Sequence, residues 1–250
     1  MNNTILLIPE KTDIEFEQIV AAWTHRGGQI RRLGKYWIKD EELVRSKIAI
    51  YGNQAFAFVL AQIYGVDLLS PDDTLIASLE HQWTKRSITL STVGQISATA
   101  FPVFIKPVVP KIFPAGIFTT LNAFLQATTG LPEDEAVIVA AAVAPITAEA
   151  RGFVLNGHLI DLALYEGEAD LTAGALFLTA FIREHGHQLP AAVIVDIACN
   201  PQTGWFVLEF NACWGAGLNN CEAEKVMDCI ISATIHPASP ADLPAGESSQ

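Results

Sequence analysis

Two carboxylates and an amide fall on one face of a hairpin predicted over residues 191–211 of this 250-residue sequence. If its turn is centred on residues 202–203, Asp196 lies directly opposite Glu209. Side chains alternate along a strand, so Glu209 and Asn211 share a face. The apolar neighbours are expected on the opposite, core face: Val195, Ile197, Leu208 and Phe210.

Carboxylates that face each other across a strand pair repel, so this arrangement needs a compensating charge. Mg²⁺ would supply it, because Mg²⁺ prefers hard oxygen ligands. The pattern therefore predicts a magnesium site, and the alternative is a solvated polar face without a metal.

Two lysines surround a strand predicted over residues 101–106. Lys106 ends this otherwise buried strand, so its ammonium group must reach water or an anion. Lys111 follows in the next loop, and two such point charges could hold phosphate groups. The alternative is a Lys106 whose head snorkels to solvent and a Lys111 that is simply solvated.

Glu149 and Arg151 open a second predicted hairpin, whose turn is Asn156-Gly157. The two charged side chains share a face of the first strand. Arg151 could stabilise charge on a transferring phosphoryl group or on a carboxylate. Equally, Glu149 and Arg151 could form an exposed ion pair of little energetic value.

Hydrophobic periodicity predicts the elements that must position these residues. Strands are expected over 4–8, 29–33, 47–51, 101–106, 136–144, 151–155, 158–164, 191–199 and 205–211. Helices are expected over 13–26, 53–64, 72–82, 85–90, 119–127, 172–184 and 221–235. The alternation near the start indicates a small α/β lobe over residues 1–83. The tail over 237–250, rich in Pro, Ala and Ser, is expected to be disordered.

Composition narrows the class of protein. The net charge of −12 repels phosphate backbones, so no nucleic-acid partner is expected. The apolar stretches are too short or interrupted for a membrane span or a signal segment, so we expect a cytoplasmic protein without a membrane partner.

The four cysteines form no CxxC pair and are interpreted as reduced core thiols, with a disulfide or redox role as the alternative. His185-Gly186-His187 is expected as a loop after a helix rather than a metal site.

Taken in order, these pieces resemble the ATP-grasp fold, an α/β (α+β) architecture, over residues 84–236. The resemblance rests on five pieces in this order: Phe104-Ile-Lys-Pro107, the predicted strand over 137–144, Glu149-Ala-Arg-Gly-Phe-Val-Leu-Asn-Gly157, Asp196, and Leu208-Glu-Phe-Asn211. Within this family, the sequence resembles most closely the clade named for two arginines and a lysine. The usual glycine-rich phosphate loop is replaced by residues 108–115, and Ala140-Ala-Ala142 stands where many members carry a glutamate.

The resemblance implies ATP and Mg²⁺ as cofactors and a role for each matched residue. Lys106 and Arg151 would be catalytic, at the phosphates and at the reacting phosphoryl group. Nucleotide contacts would come from Arg86, Lys106, Lys111, Val139, Ala140, Ala141 and Glu149. The metal ligands would be Asp196, Glu209 and Asn211.

The implied activity is that of a ligase. Such an enzyme activates a small-molecule or peptide carboxylate as an acylphosphate, which an amine then attacks. The alternatives are a kinase with a hydroxyl acceptor, a non-catalytic module that binds nucleotide or protein, and an unrelated α/β protein.

Overall fold

The computed structural model describes residues 4–11, 13–143 and 145–237. Apart from Pro237, the tail predicted to be disordered lies outside these residues. The described chain forms a parallel sheet of three strands, two antiparallel sheets of four strands and a small two-stranded ribbon.

The N-terminal part contains alternating strands and helices around a parallel sheet in the order β2–β1–β3. Its elements are β1 (Thr4–Pro9), α1 (Ile14–His25), β2 (Gln29–Leu33), α2 (Glu41–Val44), β3 (Lys47–Ile50), α3 (Gln54–Tyr64) and β4 (Asp67–Leu68). The apolar run of β1 is buried, as expected for the central strand of a parallel sheet. Asp13 and Asn53 cap α1 and α3 through their side chains.

The middle of the chain forms an antiparallel sheet in the order β5–β8–β6–β7. Its elements are α4 (Leu75–Ser78), α5 (His81–Thr84), β5 (Ile88–Thr92), β6 (Val103–Pro107), β7 (Gly116–Phe118), α6 (Leu121–Ala127) and β8 (Ala136–Ala140). Strand β6 alternates buried and half-buried residues, which turns Phe104 and Lys106 to the same face.

The helix predicted over residues 85–90 is wrong. Lys85 adopts a left-handed conformation with φ of 51°, which ends α5. The chain then forms β5, an edge strand that pairs with the interior strand β8. β-Branched residues such as Ile88 and Thr89 fit this strand better than a helix. The helix predicted over 72–82 is also split, into α4 and α5.

The last part forms the second antiparallel sheet, in the order β10–β9–β11–β12. Its elements are β9 (Ala148–Leu155), β10 (His158–Gly167), α7 (Leu171–His185), β11 (Ala192–Asn200), β12 (Gly204–Asn211), α8 (Ala223–Ser232) and β13 (Thr234–Ile235). Both predicted hairpins are confirmed. Asn156 and Gly157 have φ of 48° and 75°, as a type I′ turn requires.

The hydrophobic core connects the two ends of the chain. Leu6 and Trp23 of the N-terminal unit belong to the same buried cluster as Trp214 and Met227 near the end of the described chain. Two further clusters fill the space beside the antiparallel sheets. The four cysteines are unpaired, and three of them are buried as core thiols, whereas Cys199 is partly exposed. No helix in the described ranges is long and apolar enough to cross a membrane.

Gly167 permits the close approach of β10 to the segment before β9. Its φ is 68°, and a Cβ there would overlap the carbonyl oxygen of Thr147. We expect Gly167→Ala to lower the free energy of unfolding by about 3 kcal/mol, from backbone strain and steric overlap together. Gly157→Ala is the matched control, because Gly157 has φ of 75° but open space around it. It should cost about 1 kcal/mol in urea unfolding, and equal losses in both variants would contradict the steric argument.

Candidate active site

Three charged residues form a row across the sheet of β9, β11 and β12. The strand registers pair Arg151 with Asp196 and Asp196 with Glu209. The predicted opposition of the two carboxylates is therefore present. Arg151 retains 7% exposure and Asp196 only 1%, so both side chains are buried.

The turn and the register of this hairpin differ from those predicted, although the pairing of Asp196 with Glu209 is the same. The turn is one residue longer, because Asn200 pairs with Gly204 around a three-residue loop. A bulge at Leu208 restores the register before Glu209. As a result Val195, Ile197 and Phe210 pack against the core as expected, whereas Leu208 lies beside Glu209 at a cavity. Its assignment to the core face is wrong.

Arg151 supplies the charge compensation that the sequence attributed to a metal alone. Its Nε and Nη2 donate to the two oxygens of Asp196 at 2.9 and 2.7 Å, and its Nη1 donates to the Gly217 carbonyl at 2.7 Å. Burial lowers the pKa of Arg151, but the bonds to Asp196 outweigh burial, and the pKa is raised overall. Burial raises the pKa of Asp196, and the hydrogen bonds and positive charge of Arg151 oppose this effect.

Asn211 ties the two carboxylates together. Its Nδ2 donates to Asp196 at 2.9 Å and to Glu209 at 3.1 Å, which directs its amide oxygen away from them. One guanidinium and two carboxylates leave this row with one uncompensated negative charge if both acids are ionised. In the described chain no basic side chain forms a salt bridge with Glu209. The row is therefore a place where a cation would be stabilised.

A cavity of about 470 Å³ lies between the two antiparallel sheets. Its walls are largely apolar, and they include Ile88, Phe104, Ile138, Ile146, Phe206 and Leu208. Four of the predicted site residues bring charge to it: Arg86, Lys106, Glu149 and Glu209. Within the described ranges neither cation forms a salt bridge, so this cavity suits an anion attached to an apolar or aromatic group.

Arg86 is held rigidly at the wall of this first cavity. It donates to the carbonyl oxygens of Val207 and Leu208 at 3.2 and 3.1 Å, and its guanidinium lies 5.0 Å from the centre of the Phe206 ring. Burial lowers its pKa to about 10. A desolvated cation with only carbonyl partners would gain from a bound anion.

The segment of the predicted nucleotide contacts, residues 139–141, is only partly turned to the first cavity. Ala140 and Ala141 line it, as do Ala142 and Val143. The side chain of Val139 instead packs against the buried cluster that contains Ile105 and Phe124, on the other face of β8. Any contact of Val139 with a ligand in the cavity would thus involve its backbone.

Glu149 has a partner at the cavity that sequence reasoning missed. The hydroxyl of Tyr165 on β10 donates to Oε2 of Glu149 at 2.6 Å, and the Arg151 guanidinium lies 5.9 Å from the Tyr165 ring centre. Burial and the bond to Glu149 raise the pKa of Tyr165. The predicted hairpin brings β10 alongside β9, so a search for polar residues opposite Glu149 and Arg151 could have found it.

Lys111 lines a second cavity of about 570 Å³. Asn211 lines this second cavity, and Glu209 lines the first. Phe58, Val109 and Trp214 give it an apolar wall, while Asp73 and Lys111 bring opposite charges. Lys106 lines the first cavity and Lys111 the second.

The sequence from residue 83 to 229 matches the profile of an ATP-grasp domain, family 2 of the clade named for two arginines and a lysine. This range covers more than half of the chain. The chain belongs to this clade of the ATP-grasp family. A search of curated proteins found no match.

Solved structures show the same fold over nearly the whole of this ATP-grasp chain. A RimK domain protein from Sphaerobacter thermophilus matches with a TM-score of 0.59 and 15% identity, over 91% of this chain and 99% of that one. A D-alanine–D-alanine ligase from Bacillus anthracis, complexed with ATP, has a TM-score of 0.56 and 13% identity, over 93% and 96%. The macrocyclase MdnC from Microcystis aeruginosa, bound to its precursor peptide MdnA, has a TM-score of 0.50 and 10% identity, over 92% and 99%.

Proposed function

We propose that this chain is an ATP- and Mg²⁺-dependent ligase that activates a carboxylate as an acylphosphate for attack by an amine. One observation carries the proposal. Glu209 lines the first cavity and Asn211, two residues later on β12, lines the second, so two of the predicted metal ligands border two ligand-sized spaces. A metal ion held there could meet the phosphates of a nucleotide from the first cavity and an acceptor from the second.

The first cavity suits ATP. Its apolar walls can hold a purine ring, and its volume is in the range of small-molecule sites. Lys106 and Arg86 offer positive charge to the phosphates. Residues 140–143 line the cavity, where free backbone groups of this segment would provide hydrogen bonds to the base.

The charged row fits Mg²⁺, because two carboxylates and an amide offer hard oxygen ligands. Asp196 already accepts bonds from Arg151 and Asn211, so Glu209 and the amide oxygen of Asn211 would be the more accessible ligands. When bound, Mg²⁺ neutralises charge on the phosphates during transfer. Arg151 would act mainly by holding Asp196 in place.

In the proposed reaction an oxygen of the substrate carboxylate attacks the γ-phosphorus of ATP, and ADP leaves. The amine then attacks the carbonyl carbon of the acylphosphate, loses a proton, and phosphate leaves. Alignment and charge neutralisation provide most of the acceleration in such transfers. Lys106 would stabilise the charge on the transferred group.

The second cavity supports an amino acid or peptide substrate. Its apolar wall suits a hydrocarbon side chain, and its two opposite charges suit an ammonium and a carboxylate group. Two structurally similar proteins are described as a ligase of D-alanine and a macrocyclase bound to a peptide. Both descriptions fit this substrate class.

Trapping with hydroxylamine tests the proposed chemistry. Purified protein would be incubated with ATP, Mg²⁺ and pools of amino acids and short peptides, and hydroxamates would be detected by mass spectrometry. A ligase gives hydroxamate together with an equal amount of ADP. A phosphorylated hydroxyl without hydroxamate would make the chain a kinase, and binding of ATP without turnover in any pool would favour a non-catalytic module.

Replacing each lysine separately should distinguish the two cavities. We expect Lys106→Ala to weaken binding of a non-hydrolysable ATP analogue by at least about tenfold, since a charged hydrogen bond to phosphate is lost. Lys111→Ala should leave that affinity within about twofold, because a surface charge outside the nucleotide cavity contributes little. Isothermal titration calorimetry measures both. Equal losses of affinity in the two variants would indicate that Lys111 also contacts the phosphates.

A further inference from the structure

A buried imidazole meets two carboxylates at the end of α7, away from the two cavities. His185 is the last residue of α7 and is only 5% exposed. Its ring stacks on Phe181 with centroids 5.1 Å apart and contacts the edge of Trp83. Glu184 precedes it in the helix, and Glu80 reaches it from the start of α5.

The Nε2 atom of His185 is buried and has no hydrogen-bond partner. Its nearest charged neighbours are Oε2 of Glu80 at 3.3 Å and Oε1 of Glu184 at 3.7 Å, but their geometry is unsuitable for a hydrogen bond. A buried polar atom without a partner is costly. A ligand placed between these three atoms would give Nε2 of His185 the partner that it lacks.

The spacing of the three ligand atoms suits a transition-metal ion. Tetrahedral bonds of about 2.0–2.1 Å imply ligand atoms about 3.3–3.4 Å apart. The two nitrogen–oxygen distances are close to this value, and all three atoms lie within 4.8 Å of one another. The Glu80 and Glu184 side chains are 60% and 51% exposed, so an ion can enter and retain water.

The surroundings provide what a metal-binding histidine needs. The Gln188 side-chain amide lies 3.4 Å from Nδ1 of His185, and with its oxygen turned to the ring it would accept the Nδ1 proton. Glu80 stands at the N-cap of α5 but makes no capping hydrogen bond, which leaves its carboxylate free for a metal. The position at the C-terminal end of α7 also favours a cation.

We propose that His185, Glu80 and Glu184 form a binding site for one divalent transition-metal ion of the Zn²⁺ type. An imidazole with two carboxylates is a suitable ligand set for zinc, whereas Mg²⁺ prefers oxygen ligands alone. The ion would fasten α5 to α7. Arg86 follows α5 and exchanges hydrogen bonds with Thr84, so this site would also stabilise the segment that carries Arg86 into the first cavity.

Titration of the full-length, chelator-treated protein with Zn²⁺ tests the site without any nucleotide. We expect one tight equivalent, a rise of about 5 °C in Tm at zinc well above the Kd, and tetrahedral visible absorption when Co²⁺ replaces Zn²⁺. Glu80→Gln and Glu184→Gln change exposed side chains only, and each should weaken binding by at least about tenfold. His185→Gln should abolish it.

Two matched controls make the result specific. His187→Gln removes the neighbouring exposed histidine, and Cys199→Ser removes the one partly exposed thiol. Both should leave zinc binding unchanged. Absence of a tight equivalent in the unmodified protein, or its retention in both glutamine variants at Glu80 and Glu184, would overturn the proposal.

Discussion

Arg151→Met is expected to lower the free energy of unfolding by about 3–5 kcal/mol, because it leaves a buried carboxylate without its partner. Asp196 is 1% exposed and accepts two bonds from Arg151, so the variant cannot hydrate it without opening the sheet. The loss of the bond from Nη1 to Gly217 adds to the effect. Urea unfolding of the purified variant measures the change.

A double variant and a surface control identify the cause. Arg151→Met combined with Asp196→Leu should recover at least half of the lost stability, since no charge is then buried alone. Arg31→Met removes a half-exposed guanidinium that pairs with Asp40 and Glu42, and it should cost under about 1 kcal/mol. A loss in Arg151→Met no larger than in Arg31→Met would show that the buried pair is energetically unimportant.

Glu209→Gln is expected to remove the dependence of nucleotide binding on Mg²⁺ and to reduce any turnover by about 10²–10³-fold. The amide has the same shape and can still accept the bond from Asn211, so the fold should be retained. What is lost is the negative charge of Glu209 at the first cavity. Titration of the variant with a non-hydrolysable ATP analogue, with and without Mg²⁺, measures this directly.

Glu149→Gln provides the comparison, because Glu149 lines the same cavity and accepts a hydrogen bond from Tyr165. We expect this variant to retain the enhancement by Mg²⁺, whatever its effect on affinity itself. If Mg²⁺ still enhances binding in Glu209→Gln, the metal is held elsewhere. If the enhancement disappears in Glu149→Gln alone, the metal lies nearer to β9.

Local patterns predicted most of the elements that hold the site. The alternation of β11 and β12 was strong enough to pair Asp196 with Glu209, although the turn length was wrong and the bulge at Leu208 went unseen. The longer turn shifts the register by one residue, and the bulge at Leu208 shifts it back, so the predicted pairing is right from Glu209 onward and wrong for the residues between the turn and Glu209. This is why the charged pair was predicted correctly and Leu208 was assigned to the wrong face.

Contacts that depend on the order of strands in the sheet could not be predicted from local patterns. Arg151 and Asp196 are 45 residues apart and meet only because β9 lies between β10 and β11. The sequence therefore left Arg151 open to a surface pair or a phosphate contact. The same limit applies to Glu80 and His185, which are brought together by the packing of α5 against α7.

Strand β5 shows a local pattern that the predicted helix overlooked. Ile88 and Leu90 are two residues apart, as in a strand, and the segment pairs with β8. The resemblance to the ATP-grasp fold, by contrast, depended on the order of several weak segments. The profile match over residues 83–229 confirms it.

Calorimetric titration of the unmodified protein with a non-hydrolysable ATP analogue, with and without Mg²⁺, tests the central claim most directly. We expect saturable binding of one equivalent, strengthened at least about tenfold by Mg²⁺ through the charged row. Folded protein that binds no analogue under either condition would contradict the assignment of the first cavity to ATP. If Mg²⁺ does not change the binding of the analogue, the assignment of Asp196, Glu209 and Asn211 to the metal would be contradicted.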